Sequence, residues 1–463
     1  MDGKDGEAAQ AFEQALRLSP TLKNFLAFGQ VLITLCDFEG AAECGLQCVS
    51  LYGESAAAHL LLCGALTELN QVAEAEVELQ RAIDLDGDRI EALEIATRQR
   101  ALGHVGAANE NLRRAIEQNP RSVWAYDGLM HNQRVTEEDR GLVDNMLALL
   151  QEGKLAPTEL VSIHYGLGKA LEDLRDYEAS MLHYDEANRI TRQLKLGDVR
   201  FDEEKYSRHV DEVFDLFERA QEAIRPEAVS DSSLPVMIVG MMRSGTTLAE
   251  QILSSHSKVA PAGEQLFWSR NWRRALENLD EIGVLGREYV DLLSQFGIHP
   301  ERVTDKMPGN YLFAGLIHLA LPNAKIIHMR RTPVDNCLSI WATPNAMPHE
   351  GGHNKQHIAF VYREYLRLMA QWRTVLPADR FMEVDYEELV ADNANMARRM
   401  IEFCGLAWEE SCLRPEDNKR TVLTPSAWQV RQPVYKTSVE RWRKFEPYLG
   451  EFSELLELRH PQV

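Results

Sequence analysis

The chain reads as an α-helical solenoid followed by an α/β domain, a parallel sheet with helices on both faces. Three observations predict this. A small–large–small pattern returns at a period near 34 through the first two-fifths of the sequence. Beyond residue 232 short apolar runs alternate with helical stretches. A glycine-bounded loop follows the first of those runs, where a parallel sheet binds its ligands.

The repeat pattern appears as Ala8-Phe12-Ala15-Pro20, Ala42-Leu46-Val49-Glu54, Ala75-Leu79-Ala82-Gly87 and Ala108-Leu112-Ala115-Pro120. It returns as Ser180-Tyr184-Ala187, and the gap has room for one degenerate repeat between Trp124 and Leu160. This period and signature are those of tetratricopeptide (TPR) helix pairs. Each pair buries one face only by stacking on its neighbours, so the array forms a solenoid able to bind a protein or peptide partner. The first repeat begins almost at its second helix. Residues 1–195 are therefore assigned to the array. In the connecting segment, residues 196–232, Val210, Val213, Phe214 and Phe217 keep helical spacing and Ser230–Ser233 reads as a loop. Residues 233–463 form the sheet domain. Its expected strands are Val236–Val239, Ala324–His328 and Phe381–Val384, and Leu248–Ser255, Tyr311–Leu319, Cys337–Trp341 and Met396–Cys404 are expected helices.

Bulk composition narrows the function. A length of 463 residues exceeds one ordinary core, and the 45% apolar and 26% charged fractions suit globular protein. No run of about 18 apolar residues predicts a membrane span. The first seven residues hold no apolar signal core, and the seven scattered cysteines, with Cys44 and Cys48 on one helix face, read as buried thiols. The expected location is cytoplasmic. A net charge of −21 argues against nonspecific nucleic-acid binding. A polyanionic ligand then needs a local basic island.

Residues 234–247, Leu-Pro-Val-Met-Ile-Val-Gly-Met-Met-Arg-Ser-Gly-Thr-Thr, run from a strand through a loop into a helix. Gly240 and Gly245 allow a tight turn whose backbone N–H groups can face one concavity. Thr246 and Thr247 open the helix, where free N–H groups favour an anion. The Gly240-x4-Gly245 spacing is that of an ATPase phosphate loop, but Thr246 stands where the lysine belongs, and Arg243 sits inside the loop. A nucleotide kinase or NTPase would also need an acid at a later strand end, whereas the best later strand ends in Arg330-Arg331.

Four further blocks accompany the loop: Gly263-Glu264-Gln265, Thr304-Asp305-Lys306-Met307-Pro308, Lys325–Arg331 with Ser339, and Ser426–Val430 with Arg441-Trp442. Together with Arg243–Thr247 they resemble the sulfotransferase superfamily, which uses 3′-phosphoadenosine 5′-phosphosulfate (PAPS). Bacterial TPR sulfotransferases and tyrosylprotein sulfotransferases are the nearest likenesses. The resemblance implies a 5′-phosphosulfate loop at Arg243, Ser244, Gly245, Thr246 and Thr247, and a general base at Glu264. It implies stabilisation of the transferring group by Arg243, Lys306 and Ser426. Arg331, Ser339 and Arg441 would bind the 3′-phosphate and Tyr386 the adenine side, with no metal. Two departures stand out: one acid at Glu264 where the tyrosylprotein enzymes have two, and Arg441 where they have lysine. A protein tyrosine is the leading acceptor. A glycan, lipid or small-molecule hydroxyl is the alternative, and a TPR scaffold with an inactive nucleotide-binding domain is the rival from another class.

His349-Glu350-Gly351-Gly352-His353 spells a zinc-protease string, but central glycines and a preceding proline make the required helix poor. A loop over the acceptor site, with His357 close by, is the better reading. His256 is expected to cap the helix after the phosphate loop, and Trp268, Trp272, Trp341 and Trp372 are expected in the core.

Overall fold

The computed structural model describes residues 11–458, apart from residues 12, 15, 36, 53–54, 70, 88–90, 198, 225–228, 345–346, 348–349, 419–433 and 435–436. Outside the described residues lie Ala8, Phe12, Ala15 and Glu54 of the repeat pattern, His349, and Ser426 with its flanking residues 427–430. Two compact units divide between Leu155 and Ala156.

The first unit is all helix: α1 (Leu22–Thr34), α2 (Phe38–Tyr52), α3 (Ala56–Glu68), α4 (Val72–Asp86), α5 (Ala92–Leu102), α6 (Val105–Gln118), α7 (Val123–Asn132) and α8 (Arg140–Gln151). Each helix packs on the next in sequence, and α1 and α5 also pack on α3. This is the stacking that a helix-pair repeat requires. Packed between neighbours, α3 is buried around its whole circumference, its residues mostly apolar and its buried His59 bonded to Glu78 of α4. The small–large–small residues of α4 and α6 are buried as the pattern predicts. In α2 the register differs. Leu46 is exposed, and Ala41, Gly45 and Cys48 face inward instead. The cause is a close helix approach: a Cβ at Gly45 would lie 3.1 Å from the Leu62 Cβ, leaving no room there for a large side chain. The degenerate repeat expected after Trp124 is the pair α7–α8.

The second unit opens with the pair α9 (Pro157–Asp173) and α10 (Tyr177–Leu196), then α11 (Glu203–Ala223). The sequence reading ends the array at residue 195, while the compact unit that holds the sheet begins at Ala156 and takes in this pair. Tyr165, Met181, Tyr184 and Ala187 lie in the same core cluster as sheet residues Met237 and Val239. Asn188 donates to the Trp341 carbonyl at 2.8 Å, and the Trp341 indole N–H donates to Asp185 at 2.7 Å.

Five parallel strands follow, β1 (Pro235–Gly240), β2 (Val259–Pro261), β3 (Arg302–Asp305), β4 (Lys325–Arg330) and β5 (Phe381–Asp385), in spatial order β2-β3-β1-β4-β5. β1 alternates its side chains between two cores, which explains its unbroken apolar run. Met237 and Val239 join α11 and α17 (Lys355–Val375) on one face. Val236 and Ile238 join α12 (Thr246–Leu253) and α19 (Asn393–Phe403) on the other. The remaining helices are α13 (Phe267–Glu277), α14 (Glu281–Leu293), α15 (Ala314–Ala320), α16 (Pro333–Trp341) and α18 (Tyr386–Ala391). Trp268, Trp272, Trp341 and Trp372 are buried. His256 does not cap α12, which ends at Leu253. Its ring is buried and bonds the Ala407 carbonyl at 2.7 Å. Among the described residues no helix is long and apolar enough to cross a membrane.

Candidate functional site

Because all five strands are parallel, five strand ends open on one edge of the sheet. They deliver the Gly240 loop, Gly263-Glu264-Gln265, Lys306, Arg331 and Tyr386. β1 is the switch point, with β2 and β3 on one side and β4 and β5 on the other, where such sheets bind ligands.

The loop is built around backbone that only small residues tolerate. Gly240 has φ 149°, and a Cβ there would lie 2.4 Å from the Met329 carbonyl oxygen. Gly245 has φ 100°, and its Cβ would meet the Tyr386 ring at 2.6 Å. Arg243 takes a left-handed conformation, φ 67°, at a cost of about 1–2 kcal/mol for a non-glycine residue. The loop's carbonyls are held by side chains. Arg331 Nη1 donates to the Arg243 carbonyl at 3.0 Å and Asn336 Nδ2 to the Met242 carbonyl at 2.9 Å. Arg243 Nε reaches Ser339 Oγ at 3.4 Å, and Thr246 and Thr247 are buried in the first turn of α12. The Ser244 hydroxyl is buried without a hydrogen-bond partner among the described residues.

Arg330 and Arg331 part ways at the end of β4. Arg330 turns into the sheet, pairing side-on with Asp385 at 2.8 and 2.5 Å and reaching Glu383 at 3.2 Å. Glu383 also accepts from Arg373 and pairs with the His328 ring. Although burial pushes its carboxyl up, these hydrogen bonds and the nearby Arg330 charge hold it far below the usual range. Arg331 turns to the loop. It also donates to the Ser438 carbonyl at 2.8 Å, and its guanidinium carbon lies 4.9 Å from the centre of the Tyr386 ring. Arg243, Arg331, Ser339 and Tyr386 thus meet at one loop.

Glu264 and Lys306 form a second group. The Lys306 ammonium is buried and donates to the Glu264 carboxylate, which is exposed. Their backbones are joined too: Lys306 N–H donates to the Gly263 carbonyl at 2.7 Å, and Gln265 N–H to Asp305 Oδ1 at 3.2 Å. Asp305 is fully buried and receives Tyr289 Oη–H at 2.5 Å and Asn310 Nδ2 at 3.1 Å. Burial pushes its carboxyl up to about 7, against the hydrogen bonds from Tyr289 and Gln265. A carboxyl raised in the folded state gives stability that is full below its unfolded pKa and is lost as pH rises through about 7. Asp305→Asn, which keeps an acceptor for Tyr289, is expected to flatten the melting temperature between about pH 4 and pH 7. An unchanged slope in a pH series of thermal melts would contradict this.

Arg441 stands apart from the loop contacts. It pairs with Glu172 of α9, and Trp442 N–H beside it donates to Asp335 Oδ1 at 2.7 Å. Glu350–His353 forms a 3₁₀ turn, not the α-helix that the zinc string needs, and His353 bonds Asn188. Sequence reasoning included Asp305 in a block without giving it a role, and it missed Tyr289, Asp335 and Asn336 as parts of this region. A signal was available for two of them: Asp335 and Asn336 lie about one helical turn before Ser339 on α16, hence towards the same side.

Residues 235–410, from β1 past the last helix on the sheet, match the profile of the sulfotransferase family, described as Sulfotransfer_3. This is a sulfotransferase-family domain. The chain is 29% identical over 390 residues to a protein of Aquifex aeolicus (strain VF5) described as uncharacterized, covering 77% of this chain and 49% of that one. It therefore spans about half of that relative's length. It is 27% identical over 252 residues to protein-tyrosine sulfotransferase 1 of Danio rerio, covering 46% of this chain and 67% of that one. Among solved structures, the sulfotransferase domain of the Synechococcus PCC 7002 olefin synthase aligns at TM-score 0.36 and 20% identity, over 49% of this chain and 95% of that one.

Proposed function

We propose that this sulfotransferase moves the sulfuryl group of PAPS to an acceptor hydroxyl, with a protein tyrosine as the acceptor. One observation carries the donor assignment. Arg243, Ser339 and Arg331 converge on a loop held in a tight turn by Gly240 and Gly245, which pack too closely on the Met329 carbonyl and the Tyr386 ring to carry a Cβ, beside the buried Ser244 hydroxyl. That donor set fits a phosphate-bearing ligand: guanidinium groups, hydroxyls and a helix N-terminus behind a glycine turn. The donor supplies the sulfuryl group when bound there.

The residues divide the work. Ser244, Gly245, Thr246 and Thr247 hold the 5′ side. Arg331, Ser339 and Arg441 hold the 3′-phosphate, and Tyr386, braced by the Arg331 guanidinium, backs the adenine side. Glu264 takes the proton of the acceptor hydroxyl. A phenol of ordinary pKa, about 10, yields it as the new S–O bond forms, so the carboxylate acts late in the transfer. Lys306 and Arg243 neutralise charge on the departing phosphate oxygen, and Ser426 is assigned the same task from the sequence. Lys306 is suited to this because burial removes competing water from its ammonium.

The tyrosine acceptor is supported by the likeness to the Danio rerio protein and by the helical array, read as a binding surface for a protein or peptide. In domain terms, residues 1–195 serve as that array, 196–232 as connector and 233–463 as the transferase, with α9–α10 shared between roles. The donor assignment predicts that adenosine 3′,5′-bisphosphate raises the melting temperature more than ATP with Mg²⁺ does. Equal shifts in a thermal melt, or none, would remove it. Incubation with labelled PAPS and tyrosine peptides, with a cell extract in parallel, tests the acceptor. Label on glycans or lipids alone would overturn the tyrosine reading.

A further inference from the structure

The helix pair α9–α10 belongs by its sequence grammar to the repeat array, yet it places a carboxylate against a residue of the proposed donor site. Glu172 lies in the last turn of α9 and receives Arg441 Nε and Nη2, each at 2.5 Å. Tyr184 of α10 donates to the same carboxylate at 3.3 Å. Both members of the ion pair are largely buried, at 14% and 16% side-chain exposure, so water screens their attraction little. Burial pushes the Glu172 carboxyl up, but the Arg441 guanidinium pulls further, and the net result lies below the usual carboxylate range.

The geometry of the pair matters more than its strength. A side-on contact through Nε and Nη2 occupies one edge of the planar guanidinium. Nη1 and the second Nη2 hydrogen form another edge, which takes no hydrogen bond among the described residues and can meet a second oxyanion. The segment carrying Arg441 is fixed beside the loop machinery. Trp442 N–H is bound to Asp335 on α16, Arg331 holds the Ser438 carbonyl, and Phe445 packs edge-on against Tyr177 of α10. The guanidinium groups of Arg331 and Arg441 both lie near enough to Asp335 to oppose the upward push of burial on its carboxyl.

We propose that Glu172 is a positioning residue for the donor site: it grips one edge of Arg441 and so presents the other to the 3′-phosphate. This rests on the proposed use of PAPS. It makes the last repeat-like helix pair a working part of the transferase.

The test compares adenosine 3′,5′-bisphosphate with adenosine 5′-monophosphate by calorimetry on the full chain. The affinity ratio of the two isolates the 3′-phosphate, and a general loss of stability does not change it, since both are measured on the same variant. Wild type should favour the bisphosphate. Glu172→Gln and Arg441→Met should each cut that ratio by about tenfold or more, the loss expected of one charge-assisted hydrogen bond. The double variant should be no worse than Arg441→Met alone. Glu172→Gln leaves a buried guanidinium without its counter-charge and will lower the melting temperature. Glu172→Asp, which keeps the charge but draws it back by one methylene, is the second variant and should give an intermediate ratio. A wild-type ratio retained in Glu172→Gln or Glu172→Asp, with Arg441→Met reduced, overturns the positioning role and leaves the donor reading standing. No preference for the bisphosphate in wild type overturns both.

Discussion

Glu264→Gln should lower sulfuryl transfer to a phenolic acceptor by about two to four orders of magnitude, the usual contribution of a positioned general base. Binding of adenosine 3′,5′-bisphosphate should stay close to wild type. Glutamine is the informative replacement because of Lys306. The buried ammonium donates to the Glu264 carboxylate, and an amide oxygen can still accept that bond. Alanine would strand a buried cation and confuse lost catalysis with lost structure. Turnover with labelled PAPS and a thermal melt with the bisphosphate separate the two outcomes. Full activity in Glu264→Gln would assign the proton to another group. It would not be His256, whose buried ring is committed to the Ala407 carbonyl.

The two adjacent arginines at the end of β4 should fail in different ways. Arg330→Met leaves Asp385, which is partly exposed, without its side-on partner and the buried Glu383 carboxylate with one cation fewer. Removing one member of a buried ion pair typically costs about 3–5 kcal/mol, so this variant should melt much earlier. It should still favour the bisphosphate over the monophosphate when cooled and folded. Arg331→Met should do the reverse: a smaller drop in melting temperature, with most of the bisphosphate preference gone. Its contacts among the described residues include two carbonyls and one ring face, none of these a close pairing with a carboxylate like that of Arg330 with Asp385. If both variants lose the preference equally, the choice of Arg331 over Arg330 as the phosphate ligand is wrong.

How much of this was legible beforehand follows from where the signals are local. The β1 loop was readable because a strand, two glycines and two threonines lie within fourteen consecutive residues. The helical repeats were readable because burial follows a fixed spacing, although Leu46 shows that a close helix approach can shift the inward face by one residue. β2 and β3 were missed because they are short: Val-Ala-Pro, and Arg-Val-Thr-Asp with a single apolar side chain. Such short strands take their identity from their neighbours in the sheet. The Glu264–Lys306 pair could be nominated residue by residue, but their contact spans 42 positions and depends on β2 and β3 lying side by side. Glu172 lay beyond reach altogether. Nothing near it in sequence marks it, and its partner is 269 residues away.

Arg243 joins these threads. Its backbone sits in the left-handed region, where glycine or asparagine would rest more comfortably. A chain shaped only for ruggedness would carry one of those residues at 243. In the proposed reaction, that position instead holds the cation that stands in for the absent phosphate-loop lysine. Stability and chemistry therefore pull in opposite directions at one residue, and a stabilising screen of this protein would be drawn first to the substitution that silences it.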